Sequence, residues 1–404
     1  MPGACYLVHG VDGATPMKSQ IVIVGGGPVG LALALAASAL PGVIIDVIER
    51  GPASSERLPE PFDHRVYALS PASLDFLNNL GVVLPPARLG SVRAMQVHGD
   101  RVGETGRSQI HFNTGQLLAT IVEHAAIMHA LELRLIELGR VNVHRDVSPT
   151  RMQSLGGNRR EILLSDGRRF ASDLLVAADG GHSRIRELAG FDVAVTDYDS
   201  DGVVANFSTE HHPGDIARQW FTTDAVLAYL PLPGNHISIV WSLNTATSKA
   251  LPIEDADAFC RAVGLAGHQS LGTLRLVSPV ARFPLARTMV KNWVAPGLAL
   301  IGDAAHTVHP LAGQGVNLGF ADVRSMVEVL RRRSMLSAIG DLTVLRRYER
   351  GARESAWAVG ELTDRLRGMH LSERAMASWI RNDGMSWLNR FPVAKSLLIN
   401  YASR

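Results

Sequence analysis

Ile21-Val-Ile-Val-Gly25-Gly-Gly27-Pro-Val-Gly30 opens the first periodic segment of the chain, and the architecture follows from it. The four apolar residues predict a short buried strand, and a Gly-x-Gly-x-x-Gly spacing follows directly. The Ala- and Leu-rich run from Leu31 to Leu40 predicts a helix, which Pro41-Gly42 ends. Val43 to Ile48 predicts a second strand, which ends at Glu49. The sequence therefore predicts a strand–helix–strand unit with a glycine loop before the helix.

This glycine loop has the spacing of a dinucleotide-binding site. Gly25 permits the tight turn, Gly27 lets a pyrophosphate approach the backbone, and Gly30 allows the helix to pack closely on the strand. An acidic residue about 20 positions further on binds the ribose hydroxyls, and Glu49 is in that place. An adenine dinucleotide is favoured over a glycine-rich turn without a ligand. The motif does not separate FAD from NAD.

A second glycine-rich stretch lies in the last third of the chain. It reads Leu298-Ala-Leu-Ile-Gly-Asp303-Ala-Ala-His306-Thr-Val-His309-Pro310-Leu-Ala-Gly313-Gln314-Gly315-Val316-Asn317. The pattern predicts a buried strand, a turn, a glycine loop and a helix that starts at Val316. A helix N-terminus behind such a loop can hold an anion or an electron-rich ring. Asp303, at the strand end, suits a sugar hydroxyl or a loop amide.

Composition limits the class of protein. The chain has 404 residues, 46% hydrophobic and 19% charged, with a net charge of +2, so we expect two or more globular domains and no general affinity for nucleic acid. Two cysteines, Cys5 and Cys260, give neither a disulfide framework nor a cysteine zinc site, and no metal site is predicted. No apolar run spans a bilayer and no signal peptide is evident, so we expect a cytoplasmic protein. Residues 1–16 are expected to be a disordered extension.

The middle of the chain adds further elements. Arg65 precedes a helix over 70–81 with Ser70 as N-cap, and either reaches a phosphate or ring carbonyl or lies on the surface. A helix is predicted over 116–138. A loop is predicted over 148–158, between two strands. The remaining predicted features are a buried strand that ends at Asp179-Gly180, an all-β region from 191 to 283, and a mostly helical chain after Asp322.

Three separated motifs now coincide: the glycine loop with Glu49, Asp179-Gly180, and Gly302-Asp303. Together they resemble the class A flavoprotein aromatic hydroxylases, which have the para-hydroxybenzoate hydroxylase fold. The run from His309 to Gly319 is similar to the signature of the ubiquinone-biosynthesis hydroxylases UbiH, UbiI and UbiF. The resemblance covers most of the chain.

The resemblance implies an α/β fold: a Rossmann-like FAD-binding domain with an inserted antiparallel β-sheet substrate domain and a helical C-terminus. The expected boundaries are 17–84, 101–190 and 284–340 for the discontinuous FAD-binding domain, 85–100 and 191–283 for the β-sheet domain, and 341–404 for the C-terminal helical region.

The resemblance also implies roles for particular residues. FAD is the expected cofactor and NADPH or NADH the co-substrate, with oxygen transfer from a flavin C4a-hydroperoxide to a phenol ring. The expected cofactor-binding residues are Gly25, Gly27 and Gly30 (pyrophosphate), Glu49 (ribose), Arg65 (flavin or phosphate), Asp179 (loop order), Asp303 (ribityl chain), and Gly313, Gln314, Gly315, Val316 and Asn317 (flavin). Pro310 is expected beside the oxygen-reactive edge, and His309 is a candidate acid or base. His306 is expected to pack the loop.

One position departs from the family pattern. The family carries Val-Glu-Asn-Arg where this chain has Val122-Glu-His-Ala125, so an arginine expected to contact the cofactor is replaced by Ala125. Trp220, Tyr229, Pro231 and Trp241 are expected either to line an apolar substrate chamber or to pack in the core. The segment 385–401 suits an interfacial helix at a membrane, or packing on the protein's own core or on a partner subunit. Arg331 to Arg333 are interpreted as a solvated helix end.

The predicted activity is hydroxylation of a polyprenylphenol in ubiquinone biosynthesis, by an enzyme that is cytoplasmic and peripheral at the inner membrane. Two alternatives are kept: hydroxylation of a soluble aromatic compound, and a non-catalytic role in a quinone-biosynthesis complex.

Overall fold

The computed structural model describes residues 18–54, 57–60, 62–99, 109–113, 115–222, 224–307 and 315–370. The predicted extension at 1–16, the loop residues His309, Pro310, Gly313 and Gln314, and the segment 385–401 lie outside these ranges. Within them the chain forms four sheets and eight α-helices.

The strands are, in chain order, β1 (Ser19–Val24), β2 (Val43–Ile48), β3 (Val66–Leu69), β4 (Gly90–Val92), β5 (Ala94–His98), β6 (Gln109–Asn113), β7 (Ala119–Glu123), β8 (Val141–His144), β9 (Pro149–Gly156), β10 (Arg159–Leu164), β11 (Arg169–Ser172), β12 (Leu174–Ala177), β13 (Val193–Thr209), β14 (Ile216–Phe221), β15 (Ala225–Leu232), β16 (His236–Asn244), β17 (Leu274–Leu276), β18 (Ala281–Val290), β19 (Val294–Ala295), β20 (Leu298–Leu300) and β21 (His306–Thr307). The helices are α1 (Pro28–Ala37), α2 (Pro71–Asn79), α3 (His124–Leu138), α4 (Arg184–Leu188), α5 (Thr245–Ala250), α6 (Ala256–Ala266), α7 (Gly315–Arg331) and α8 (Leu342–His370).

The first sheet carries the predicted strand–helix–strand unit. Its strand order is β19-β20-β12-β1-β2-β8, and β1 lies parallel to both β2 and β12. Every residue of α1 from Gly30 to Ala37 is buried, because helices and sheet enclose the unit on both sides. Since β1, β12 and β20 all end at one edge of this sheet, the three predicted motifs that follow them meet there.

The large antiparallel sheet is the second domain. Its order is β21-β18-β13-β16-β15-β14-β5-β6, with β17 also paired to β13. Two of its strands fall beyond the boundaries expected from sequence: β6 lies in the predicted span 101–190, and β18 extends into 284–340. The pairing partner of a strand is a distant segment, so the local pattern did not assign these two strands to a sheet.

Two other local expectations differ from the structure. The helix predicted over 116–138 begins only at His124, because residues 119–123 form β7 between β3 and β4. Thr120, Ile121 and Val122 are β-branched and suit a strand. The loop predicted over 148–158 contains β9, whose mostly exposed polar residues pair with β10.

The two domains have separate cores. The larger core surrounds the first sheet and includes Trp293, Phe320 and Tyr348. The second lies between the large sheet and α6 and includes Phe207, Trp220 and Phe259. A small third cluster, built on Val92, Ile121, Ala217 and Leu232, joins the domains where β15 packs on β4 and β7.

Candidate functional site

The glycines after β1 differ in what surrounds them. Gly25 has φ +107°, and a Cβ there would lie 2.3 Å from the carbonyl oxygen of Ala178. A Cβ on Gly30 would lie 1.9 Å from the carbonyl oxygen of Gly25. Gly27 has no atom within 4 Å of its Cβ position. Gly25 and Gly30 are therefore required by packing, whereas Gly27 leaves open space in front of α1.

Glu49 closes the end of β2 against this loop. Its Oε2 accepts a hydrogen bond from the Gly26 amide at 2.5 Å, and its Oε1 accepts one from the Gly51 amide at 2.8 Å. Each carboxylate oxygen has a second lone pair that can accept a hydroxyl hydrogen. The carboxylate is thus fixed beside the glycine loop, where the sequence predicts a ribose.

A cavity of 320 Å³ lies against these groups. Two helices begin at its wall, since Gly27 is the N-cap of α1 and His124 is the first residue of α3. Both positive helix ends favour an anion. The residues that line it are Gly26, Gly27, Glu49, Pro52, Ser54, Arg57, Leu58, Pro59, His124, Ala125, Met128 and Arg145.

The segment that follows β2 is attached to α3 at this cavity. Arg145 pairs with Glu132 at 2.8 Å and donates to the carbonyl of Pro52 at 3.2 Å. Glu132 also accepts a hydrogen bond from the Ser54 amide at 3.1 Å. These contacts hold one wall of the cavity in place.

The first turn of α3 is anchored by buried charge. Glu123 is fully buried, pairs with Arg88 at 3.1 Å, and accepts from the Asp63 amide at 2.5 Å. The Ala125 amide donates to Asp63 at 3.3 Å. Position 125 therefore contributes a backbone contact and a methyl group to the cavity wall, where the resemblance led us to expect an arginine.

His124 and Tyr67 form a pair that the sequence analysis missed. The Tyr67 hydroxyl lies 3.1 Å from Nδ1 of His124. Burial lowers the pKa of His124 to about 4, with the Arg65 charge acting in the same direction, and burial raises the pKa of Tyr67 to about 12. Both groups are therefore neutral at pH 7. They are 57 residues apart in sequence, and only the pairing of β3 with β7 brings them together.

Arg65 and Asp303 come together from distant parts of the chain. The Arg65 guanidinium lies 5.5 Å from the centre of the Tyr67 ring. Asp303 follows β20 in a short 3₁₀ turn and is accessible to water. Surrounding protein atoms raise the pKa of its carboxyl, and the charges of His306 and Arg65 oppose this shift. A Cβ on Gly315, the first residue of α7, would lie 3.8 Å from Asp303 Oδ1.

Asp179 orders the loop after β12. Its carboxylate accepts from the Ser183 hydroxyl at 2.5 Å and from the Ile185 amide at 3.2 Å, and burial raises its pKa. The buried Arg186 then donates to the carbonyls of Gly181 and Ala304 at 2.6 and 3.0 Å. The Asp-Gly loop and the Gly-Asp turn are thereby joined, which supports the structural interpretation of Asp179.

His306 and Asp322 form a buried ion pair beneath the same turn. His306 Nε2 lies 2.8 Å from Asp322 Oδ2, which also accepts from the Gly302 amide at 2.9 Å. The imidazole packs against Trp293 with ring centres 5.0 Å apart. Burial opposes the positive charge, but the Asp322 carboxylate outweighs it and raises the pKa of His306. The packing role expected for His306 agrees with these contacts.

The start of α7 is described and the loop before it is not. Val316 is buried in the core of the first domain. The Asn317 side chain accepts from the Ser70 amide at 3.0 Å and donates to the Ala68 carbonyl at 2.8 Å. It connects α7 to the junction of β3 and α2. The cofactor contacts of Gly315, Val316 and Asn317 stay a prediction.

The aromatic residues expected either at a substrate chamber or in the core lie in the second domain. Trp220, Tyr229 and Trp241 are buried in the core that α6 covers, and the Tyr229 hydroxyl donates to the Val263 carbonyl at 2.7 Å. Pro231 approaches β4, where a Cβ on Gly90 would lie 2.0 Å from its carbonyl oxygen. For the three rings, the contacts support the core-packing interpretation.

The described residues contain neither a cluster of metal ligands nor a membrane-spanning helix. No group of three or more metal-ligating side chains occurs among them. No helix within the same ranges is long and apolar enough to cross a membrane.

Comparison with known proteins gives a family match and close relatives. The FAD binding domain family model matches residues 18–363. The 3-demethoxyubiquinol 3-hydroxylase of Escherichia coli (strain K12) is 32% identical over 96% of this chain and 99% of its own. The mitochondrial ubiquinone biosynthesis monooxygenase COQ6 of Homo sapiens is 30% identical over 97% of this chain and 94% of its own.

Solved structures share the fold at lower identity. The p-nitrophenol 4-monooxygenase PnpA of Pseudomonas putida superposes with a TM-score of 0.74 at 16% identity, covering 96% of this chain and 98% of its own. PqsL of P. aeruginosa superposes with a TM-score of 0.73 at 18% identity, covering 91% and 99%.

Proposed function

Since the chain belongs to the FAD-binding-domain family, we propose that it hydroxylates the aromatic ring of a polyprenylphenol intermediate in ubiquinone biosynthesis. It is an FAD-dependent monooxygenase that consumes NAD(P)H and O2. The observation that carries the proposal is 32% identity to a ubiquinol hydroxylase over nearly the full length of both chains.

The described residues fit the cofactor. The diphosphate would lie at the open face of Gly27, between the N-termini of α1 and α3, and Glu49 would accept from the adenosine ribose. Asp303 would bind the ribityl chain beside the N-terminus of α7, with the flavin against the amides of 313–315. FAD supplies the redox chemistry and the activation of oxygen when bound. The protein binds and orients the cofactor and excludes water.

His124 would partly replace the arginine absent at position 125. If Nδ1 of the neutral His124 ring accepts a hydrogen bond from the Tyr67 hydroxyl, the ring carries its proton on Nε2. The Nε2–H group would then donate a hydrogen bond to the diphosphate. Arg57 and Arg145 add positive charge at the same wall. Diphosphate binding here would therefore combine a neutral donor with two nearby guanidinium groups.

The remaining assignments concern the reaction and the substrate. Pro310 would lie beside the reactive edge of the flavin, and His309 would serve as an acid or base there. The chamber would lie on the face of the large sheet that meets the first domain, where Leu230 and Leu232 pack with Ile121. The enzyme would be cytoplasmic and would contact the inner membrane peripherally, with 385–401 as one contact.

Turnover is tested with purified, FAD-loaded protein. NADPH or NADH oxidation is measured with a short-prenyl phenol, a long-prenyl phenol and a soluble aromatic acid, under labelled dioxygen. We expect oxidation stimulated by the prenylphenols and one labelled oxygen atom in the product. Stimulation by the soluble acid alone would assign the first alternative, and protein that takes up no FAD would assign the non-catalytic one.

Complementation identifies the step. Strains that each lack one ring hydroxylase of ubiquinone biosynthesis are transformed with this chain, and their quinone intermediates are measured by mass. Restoration of quinone in one strain assigns the ring position, whereas restoration in none contradicts the proposed pathway.

A further inference from the structure

The loop after α7 holds two large apolar side chains in water. Met335 and Leu336 are 102% and 98% exposed, the highest values for large hydrophobic residues in the described ranges. They are adjacent at the tip of the connection between α7 and α8. The two side chains are adjacent and form one contiguous apolar surface, which is the kind of feature that marks an interaction site when polar or charged residues surround it.

Three arginines precede this apolar pair. The side chains of Arg331 and Arg332 are 62% and 79% exposed, and both pair with Glu328. Arg333 donates to the Leu330 carbonyl at 2.7 Å. Residues 331–336, called the arginine loop below, therefore have a positive charge that Glu328 only partly offsets.

The positive charge of the arginine loop indicates which kind of partner binds it. The C-terminal residues 371–404 have five basic and two acidic side chains, so they do not complement the arginine loop. In a symmetric pair of copies that meet through this loop, the same arginines would face one another and repel. An anionic bilayer provides both what the arginines attract and what the apolar pair enters, namely phosphate headgroups and acyl chains.

We propose that the arginine loop docks this protein on an anionic phospholipid bilayer. Met335 and Leu336 enter the headgroup region while Arg331 to Arg333 contact lipid phosphates. The biological role of this docking rests on the proposed function, because the polyprenyl tail of the proposed substrate partitions into a bilayer. The docked loop would keep the enzyme where such a substrate is held.

The first test is binding of the full-length, FAD-loaded protein to vesicles. Phosphatidylcholine vesicles with and without phosphatidylglycerol are sedimented with the protein at about 0.1 M and about 0.5 M salt. We expect binding to the anionic vesicles at low salt, weaker binding at high salt, and little binding to phosphatidylcholine alone. Absence of binding to anionic vesicles would overturn the proposal.

Variants assign the binding to this loop. M335E/L336E should lower the vesicle partition coefficient at least tenfold, and R331Q/R332Q should lower it about fivefold per arginine. The control is I136E, because Ile136 is 76% exposed and lies on α3, outside the arginine loop. Equal vesicle binding by M335E/L336E and the wild type would overturn the proposal and place the contact elsewhere. If the two proteins also differed in oligomeric state by analytical ultracentrifugation, the loop would be assigned to a protein interface.

The failure of the membrane-docking proposal can be distinguished from the failure of the proposed function. NADPH oxidation with a water-soluble short-prenyl phenol should be the same in the wild type and in M335E/L336E, since the loop lies outside the cavity wall. An inactive protein that still binds anionic vesicles would contradict the function and leave the docking surface in place.

Discussion

At the scale of single residues, the fold requires two of the three glycines in the first loop and does not require the third. Gly25 and Gly30 are fixed by backbone atoms at 2.3 and 1.9 Å from their Cβ positions, so no side chain fits without moving the main chain. Gly27 has ordinary extended φ and ψ angles and open space around it. The fold therefore does not require glycine at position 27, whereas the proposed diphosphate site does.

The glycine loop gives the first prediction. Gly27→Ala should fold with the thermal stability of the wild-type apoprotein but bind FAD about tenfold to a hundredfold more weakly, because the methyl group occupies the space of the diphosphate at a cost of roughly 1–3 kcal/mol. Gly30→Ala is the control and should lower the melting temperature sharply. Fluorescence titration with FAD and thermal denaturation measure both. Unchanged FAD affinity in Gly27→Ala would contradict this position for the diphosphate.

The buried pair under the Gly-Asp turn gives the second prediction. Asp322→Asn removes the countercharge of a His306 that is 1% exposed, so unfolding free energy should fall by about 3–5 kcal/mol. Glu187→Gln is the control, since Glu187 pairs with Arg184 on the surface and should contribute less than about 1 kcal/mol. Urea denaturation distinguishes them. Equal, small losses would mean that the pair does not hold the turn.

The same pair makes stability depend on pH. The folded-state pKa of His306 lies above its usual value of about 6.5, so protonation of His306 contributes stability that is complete below that value. The contribution is lost as pH rises through the higher folded-state pKa. The stability advantage of the wild type over Asp322→Asn should therefore shrink as the pH is raised above about 6.5, in urea denaturation at several pH values. A constant advantage would show that His306 is neutral when folded.

At the scale of elements, sequence patterns correctly predicted those helices, strands and caps that depend on residues close together in the chain. The β1–α1–β2 unit and the Ser70 N-cap of α2 are confirmed, because turn chemistry and hydrophobic period are encoded within a few residues. The start of α3 was placed too early, since β3 and β4 recruit residues 119–123 into a strand. The His124–Tyr67 pair depends on the same non-local pairing, so the sequence did not reveal it.

The junction between α7 and α2 supports a prediction at this scale. Asn317 accepts from the Ser70 amide and donates to the Ala68 carbonyl, so Asn317→Asp keeps the first bond and faces the carbonyl with a carboxylate. We expect unfolding free energy to fall by about 1–3 kcal/mol. Asn235→Asp, in the exposed turn between β15 and β16, is the matched control and should change little. Equal stability of the two variants would contradict a structural role for the Asn317 amide.

At the scale of the whole molecule, the two hydrophobic cores support different parts of the structure. The first core supports the cavity and the strand ends that carry the predicted cofactor residues, and the second fills the large sheet beneath α6. The sequence predicted a division into an FAD-binding domain and a β-sheet domain. It did not distinguish whether the aromatic residues of the sheet line a chamber or pack in the core. Alternation along a strand shows which side chains share a face and does not show which face another element covers.

This division predicts where FAD should protect the molecule. The cavity is lined by Gly26, Gly27 and the start of α3, which belong to the first domain. With FAD at a hundredfold excess over its Kd, amides of β1, α1 and the first turn of α3 should exchange with deuterium up to about a hundredfold more slowly, because binding stabilises the closed state by mass action. Amides of β15 and β16 that are covered by α6 belong to the separate core and should change little. Hydrogen exchange with mass spectrometry measures both sets, and Gly27→Ala at the same FAD concentration is the control, whose protection should be about tenfold to fiftyfold smaller because its affinity is weaker. Equal protection of both domains would show that cofactor binding stabilises the molecule as one unit and that the two cores do not open independently.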